Sequence, residues 1–412
     1  MTIPTDLAAR CAADGEMRIA TRHWTGGIRL VIDDEVVGVS FVEGEPRDEI
    51  PAAGDGVIEL SGPMDVWGPL LSAVPPPFLN DVAVAAGLGL RVPTDDLLWW
   101  QYLPAVARLV ELLRPPAELP SRAARPSAPG TWDAPTGGYV HVELDGLDHR
   151  IYVEQAGRGI PMLLQHTAGS HGSQWRHLME RTELTDQFRL IAYDLPFHGK
   201  SVPPEGREWW AETYRLTGEF LRQVPLAVSA ALELDRPVFM GCSVGGLLAL
   251  DLAYHHPDEF RAVISLEGAL KIEGNIDSLT GFWHPEVSNE TKARMMDGLM
   301  SPTSPIALRR ETTQVYAAGW PPAFLGDLHY YLVDFDLRKD AHEIDTDRVG
   351  VHILSGEYDY SGTVTLGREA HEAIPGSTFT EMAGVGHFPM SEHPDVLVEH
   401  LGPVLESIRN AS

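Results

Sequence analysis

The stretch RPVFMGCSVGGLLALDLAYHHP, residues 236–257, constrains this chain more tightly than any other. An unbroken apolar run that includes Val238, Phe239 and Met240 reads as a strand buried on both faces. A glycine-crowded turn follows, then an apolar helix stopped at Pro257. In the pattern G-x-S-x-G, Gly241 and Gly245 lie two residues either side of Ser243, whereas Cys242 has Met240 and Val244 in those places. A strained turn between strand and helix lets neighbouring chain approach only where side chains are missing. The turn is therefore centred on Ser243, and Cys242 is expected to pack beneath it as a small apolar residue.

The same strand signal recurs. PMLLQH, FRLIAYD, PVFMG, AVISLEG and VHILSGEYD are short apolar runs separated by helical stretches. Continuous apolar strands alternating with helices indicate a mainly parallel sheet covered on both faces. YVHVEL and RIYVEQAG precede them as a hairpin, and the fold class is α/β.

A chain of 412 residues exceeds the usual size of one domain, so two are expected. The boundary falls in residues 114–136, where proline and small residues erase apolar periodicity. Residues 1–113 then form a smaller α+β domain. GGIRLVID and EVVGVSFVEG alternate as a hairpin around Asp33 and Asp34, GVIELSG is a third strand and LGLRVPTD a further short one. PMDVWGPLLSAV and DLLWWQYLPAVARLVELL carry helical spacing. This order over residues 17–113 resembles the sterol-carrier-protein-2-like fold, which implies an apolar tunnel for hydrophobic ligands. A docking or oligomerisation role is the preferred expectation, since pattern transfers fold better than function.

Charge narrows the partners. With 31 basic and 59 acidic side chains the net charge is −28, which repels phosphate backbones and anionic headgroups, so neither nucleic acid nor membrane is expected. Two cysteines make no disulfide framework. The first residues lack a basic stretch followed by an apolar one, and no apolar run is long enough to span a bilayer, so a soluble cytoplasmic location is expected. No H-E-x-x-H or paired Cys/His spacing appears despite 17 histidines, so neither metal nor cofactor is expected.

Residues 137–412 resemble the α/β-hydrolase family. The motifs are GCSVGG, QHTAGSHGSQW, YDLPFHGKS, GEYD and GVGHFP. The resemblance implies a catalytic triad in chain order serine, acid, histidine. Ser243 is the nucleophile and His387, in a glycine-bounded loop, the base. Asp359 at the end of VHILSGEYD is the acid, with Glu267 in ISLEGAL and Glu357 as rivals. Val244 and Ala168 supply the backbone N–H groups of an oxyanion hole. Where the family usually has His-Gly-x, this chain has His166, Thr167 and Ala168. His198 is read as structural.

Residues 271–350 are far too many for a strand-to-helix connection and form an inserted helical cap. Among the cap's aromatic residues Trp283, Trp320 and Phe324, together with Thr167 from the oxyanion loop, are the candidates for substrate contact. An aromatic-lined cleft in an acidic protein favours a small hydrophobic, uncharged carboxylic ester or lactone, cleaved through an acyl-enzyme on Ser243. The same triad also serves carbon–carbon bond hydrolysis or amide cleavage, and a non-catalytic ligand receptor or carrier is the alternative of a different class. Self-association through the first domain, or its packing on the second, is a further expectation.

Overall fold

Alternating residues around Asp33 and Asp34 fold as the expected hairpin: β1 (Gly26–Ile32) pairs antiparallel with β2 (Glu35–Val42). In this computed structural model, which describes Pro4 and residues 6–122 and 128–411, β3 (Glu45–Arg47) extends the hairpin and β4 (Val57–Gly62) lies parallel to β1. The sheet order is β3-β2-β1-β4. One face contributes Ile28, Leu30, Val39, Phe41, Ile58 and Leu60 to a core shared with Trp99, Leu103, Val106 and Val110 of the helix Leu97–Leu113. The strand expected in LGLRVPTD does not form. Ala86–Leu88 is a 3-10 turn, Gly89 takes φ 108°, and a single bridge joins Arg91 to Ser61. Glycines break the extended run and Pro93 withholds a donor, so one bridge is all it sustains. Residues 123–127 of the expected linker lie outside the described residues.

The second sheet has eight strands: β5 (Thr136–Leu144), β6 (Leu147–Gly157), β7 (Ile160–Gln165), β8 (Phe188–Tyr193), β9 (Val238–Cys242), β10 (Ala262–Leu266), β11 (Gly350–Gly356) and β12 (Thr378–Met382). Their order is β12-β11-β10-β9-β7-β8-β6-β5. Neighbours from β12 to β8 run parallel, while β6 is antiparallel to both β8 and β5. Every residue of β9 and β10 is buried, as their unbroken apolar sequence requires. The order reverses next to β7, and loops at the carboxyl ends of strands flanking such a reversal form crevices.

Between β10 and β11 the chain forms the helices Asn289–Gly298, Ile306–Ala318 and Pro321–Leu328, then a π turn, His329–Asp334. They lie over the carboxyl edge of the sheet, where Tyr316 packs on Phe388 and the Tyr331 hydroxyl meets Ser361. The amino-terminal elements grip this layer from the other side. Thr291 donates to the Trp100 carbonyl at 2.7 Å, and Asn80 Nδ2 donates to the Gly298 and Met300 carbonyls. Arg294 joins Asp81 at 3.2 Å, Glu111 at 3.0 Å and Asp297 at 3.0 Å. Arg309 and Arg310 close on the same Asp297. Among the described residues no helix is long and apolar enough to cross a membrane.

Candidate active site

The turn after β9 owes its shape to absent side chains. A Cβ on Gly241 would lie 2.3 Å from the Gly245 carbonyl oxygen, and one on Gly245 would lie 2.8 Å from Gln165. Ser243 adopts φ 59° and ψ −114°, with its N–H bonded to the Leu266 carbonyl. A non-glycine residue held there stores roughly 1–3 kcal/mol. Cys242 is fully buried below it, its thiol donating to the His387 carbonyl at 3.1 Å. Burial, then the charges of Glu267 and Asp359, push that thiol well above its ordinary range, so it is held as a neutral thiol.

His387, in the loop after β12, has Nδ1 at 2.6 Å from Asp359 Oδ2. Asp359 follows β11 and also accepts from the Ser361 and Gly362 N–H groups. The rival acids lie elsewhere. Glu357 accepts from Gly384 N–H. Glu267 is buried behind Asp359, accepting from Gly356 N–H. Burial and then the charge of Asp359 push the Glu267 carboxyl well above the usual carboxylate range, so it stands as a neutral acid that hydrogen-bonds to Asp359. Glu267, Asp359 and His387 thus lie together in the interior, with only Asp359 bonded to His387. Among the described residues the Ser243 hydroxyl makes no hydrogen bond to His387. The phenol of Tyr331, from the π turn His329–Asp334, faces it instead.

The loop after β7 is tied down on both sides of Ala168. His166 accepts the Leu195 N–H at Nε2, which leaves Nδ1 to donate to the Thr167 carbonyl. Burial, then neighbouring His198, hold it well below its ordinary pKa and therefore neutral. Gln174 Oε1 accepts from both the N–H and the hydroxyl of Thr167, whose oxygen also meets the Tyr316 hydroxyl. Gly169 N–H donates to Asp327 Oδ2 at 2.7 Å. Between these anchored residues, the Ala168 N–H has no protein acceptor among the described residues, and neither has that of Val244 in the first turn of the helix Val244–His255. Asp327 also holds His198 Nε2 at 2.8 Å and the Tyr214 hydroxyl. Burial would lower His198, but the Asp327 carboxylate outweighs it and the imidazole is raised.

Of the residues expected at the substrate, Phe324 lies over the loop after β7, its Cβ 2.8 Å from where a Gly169 Cβ would be. Thr167 is buried with its hydroxyl already engaged. Trp320 packs among Phe197, Trp209 and Tyr214, on the wall of a cleft of about 500 Å³ whose lining does not include Ser243. Trp283 is 48% exposed and is not brought to the other candidates. A Pro break beside an aromatic residue marks a loop, but does not give its direction. Sequence reasoning missed Tyr331 as a neighbour of Ser243 and Tyr316 as a partner of Thr167, and no spacing rule would have found either.

A mostly parallel eight-stranded sheet with a strained serine after β9 and a histidine–carboxylate pair from β11 and β12 is the α/β-hydrolase fold. Residues 160–301 match the family model described as alpha/beta hydrolase fold. The chain is similar to a pimeloyl-[acyl-carrier protein] methyl ester esterase of Methylococcus capsulatus, 31% identical over 152 residues, covering 37% of this chain and 51% of that protein. It is also similar to the Chromobacterium violaceum protein of the same name, 24% identical over 272 residues, 62% of this chain and 98% of that protein. The match thus spans about half the length of one of these relatives and nearly all of the other. Among solved structures a thermophilic esterase from Thermogutta terrifontis superposes with a TM-score of 0.57 at 18% identity, covering 66% of this chain and 99% of that one.

Proposed function

We propose that this chain is an α/β-hydrolase family enzyme that cleaves a hydrophobic carboxylic ester or lactone through an acyl-enzyme on Ser243. The observation that carries the reading is the strained Ser243 after β9, together with His387 bonded to Asp359. His387 Nε2 takes the Ser243 proton as Oγ attacks the carbonyl carbon. The oxyanion accepts hydrogen bonds from Val244 and Ala168 N–H. The carbon–oxygen bond breaks, the alcohol leaves with the proton from His387, and water attacks the acyl-enzyme by the same route. The esterase relatives support ester chemistry, and the aromatic roof formed by Phe282, Tyr316 and Phe324 supports an apolar body on the substrate.

The amino-terminal domain we read as a dock for the cap, not a lipid carrier. Its bonds through Asn80, Trp100 and Glu111 to the cap support that role. A fluorophosphonate probe tests the chemistry: labelling of the wild type that disappears in Ser243→Ala is expected, and equal labelling of both overturns the proposal. An ester panel run beside a ring-cleavage diketone panel separates bond classes, and turnover of diketones alone overturns the ester reading.

A further inference from the structure

The helix Asn289–Gly298, NETKARMMDG, is polar by sequence, yet Lys292 in its middle is fully buried and its Nζ has no hydrogen-bond partner. Burying an ammonium without a partner is strongly unfavourable, and a methionine of similar length would avoid it. Among the described residues the acidic group that acts on the amine is Asp327, whose carboxylate is already shared by the Gly169 N–H, His198 and the Tyr214 hydroxyl. Burial pulls the amine down to about 8, with Asp327 opposing, so it still carries its proton at neutral pH.

Its location gives the unpaired charge a purpose. The point where a Gly319 Cβ would stand is 3.6 Å from Lys292 Nζ and 2.7 Å from the Gly169 carbonyl oxygen. Gly169 follows Ala168, so the ammonium stands beside the oxyanion loop, and Gly319 carries no side chain because the Gly169 carbonyl fills that place. On its apolar side, Phe324 covers Gly169 and packs edge-on against Phe282 and Tyr316.

We propose that Lys292 recognises a carboxylate on the substrate, so that the preferred ester or lactone is amphiphilic, with an apolar body and a free carboxylate, and is not uncharged. This rests on the hydrolase reading above, and it replaces the expectation of a neutral substrate drawn from net charge. A surface field that repels polyanions does not oppose a single carboxylate that meets a fixed ammonium in a desolvated site.

The test compares octanoate with octanamide as protectants of Ser243 against a fluorophosphonate probe, in the wild type and in Lys292→Met. Octanoate is expected to protect the wild type at a concentration at least tenfold below octanamide, and that ratio is expected to collapse towards one in Lys292→Met. Equal ratios in the two proteins overturn the proposal and leave Lys292 a buried structural amine. Lys292→Met should also melt at a higher temperature, having lost a buried charge, which separates lost recognition from a lost fold. If the wild type takes no label at all, the hydrolase reading fails, and calorimetric titration of octanoate into both proteins still decides Lys292: binding that is equal in the two, or absent from the wild type, overturns the assignment.

Discussion

Replacing Arg294 with alanine should destabilise the whole molecule, because that one guanidinium neutralises carboxylates from two parts of the chain. Arg294 bonds Asp81, Glu111 and Asp297, all buried or nearly so. The three losses are unequal. Glu111 keeps Arg108 at 2.9 Å, and Asp297 keeps Arg309 at 2.8 Å and Arg310 at 3.1 Å. Asp81 keeps no ion-pair partner among the described residues, and burial already raises its carboxyl against the pull of Arg294. Removing one member of a buried pair costs about 3–5 kcal/mol. At an unfolding entropy of about 2.1 cal/mol/K per residue, a chain of 412 residues loses about 1.2 °C per kcal/mol, so Arg294→Ala should melt roughly 3–6 °C lower. Asp81→Asn in the same protein should restore a good part of that loss, since it removes the orphaned charge. Thermal and urea unfolding of the four proteins of this cycle measure it. A loss below about 1 kcal/mol, the size of an exposed pair, or no recovery in the double variant, would refute the argument that Asp81 and Arg294 clamp the cap.

Three further predictions concern the site and its sheet. Cys242→Ala should keep most activity while Ser243→Ala loses it, because the Cys242 thiol is neutral and faces the His387 carbonyl; the reverse pattern in an ester assay overturns the assignment. Asp359→Asn should lower kcat by about 10⁴, as loss of the carboxylate that orients a catalytic histidine does, whereas Glu267→Gln, isosteric with the neutral acid, should stay within about tenfold; comparable losses in both would show that Glu267 is ionised. His352, buried beside Thr378, is lowered by burial to about 4. The unfolded chain therefore binds this proton first, and stability falls as pH drops from about 6.5 to about 4, by at most about 3 kcal/mol. His352→Gln should flatten that part of the stability–pH curve measured by urea unfolding, and an unchanged slope would rule it out.

The buried sheet was legible because its strands are apolar without interruption, so IPMLLQ, VFMGC and AVISL admit few other states. The serine turn was legible because Gly241 and Gly245 are demanded by contact at under 3 Å. Asp359 and Glu267 could not be separated by sequence, since both end neighbouring strands; the choice lies in which carboxyl reaches His387 and which is desolvated behind it. Lys292 was hidden for a different reason. Periodicity assumes one buried face and one wet face, and the helix Asn289–Gly298 is covered on one side by the sheet's loops and on the other by Trp100 and Glu111. LGLRVPTD misled through its alternation, which Gly89 and Pro93 cancel.

The His387 N–H donates to the Leu299 carbonyl, while the Gly298 and Met300 carbonyls on either side are held by Asn80, a residue 218 and 220 positions away in the chain. Contacts of such separation close late in folding, after local turns and helices have formed. The backbone beneath His387 therefore acquires its final support only when Asn80 has met the segment around Leu299. During refolding, sheet formation seen by circular dichroism should precede the return of Ser243 reactivity, and the delay should lengthen in Asn80→Ala. Ser243 reactivity would then report the closure of a loop of 220 residues.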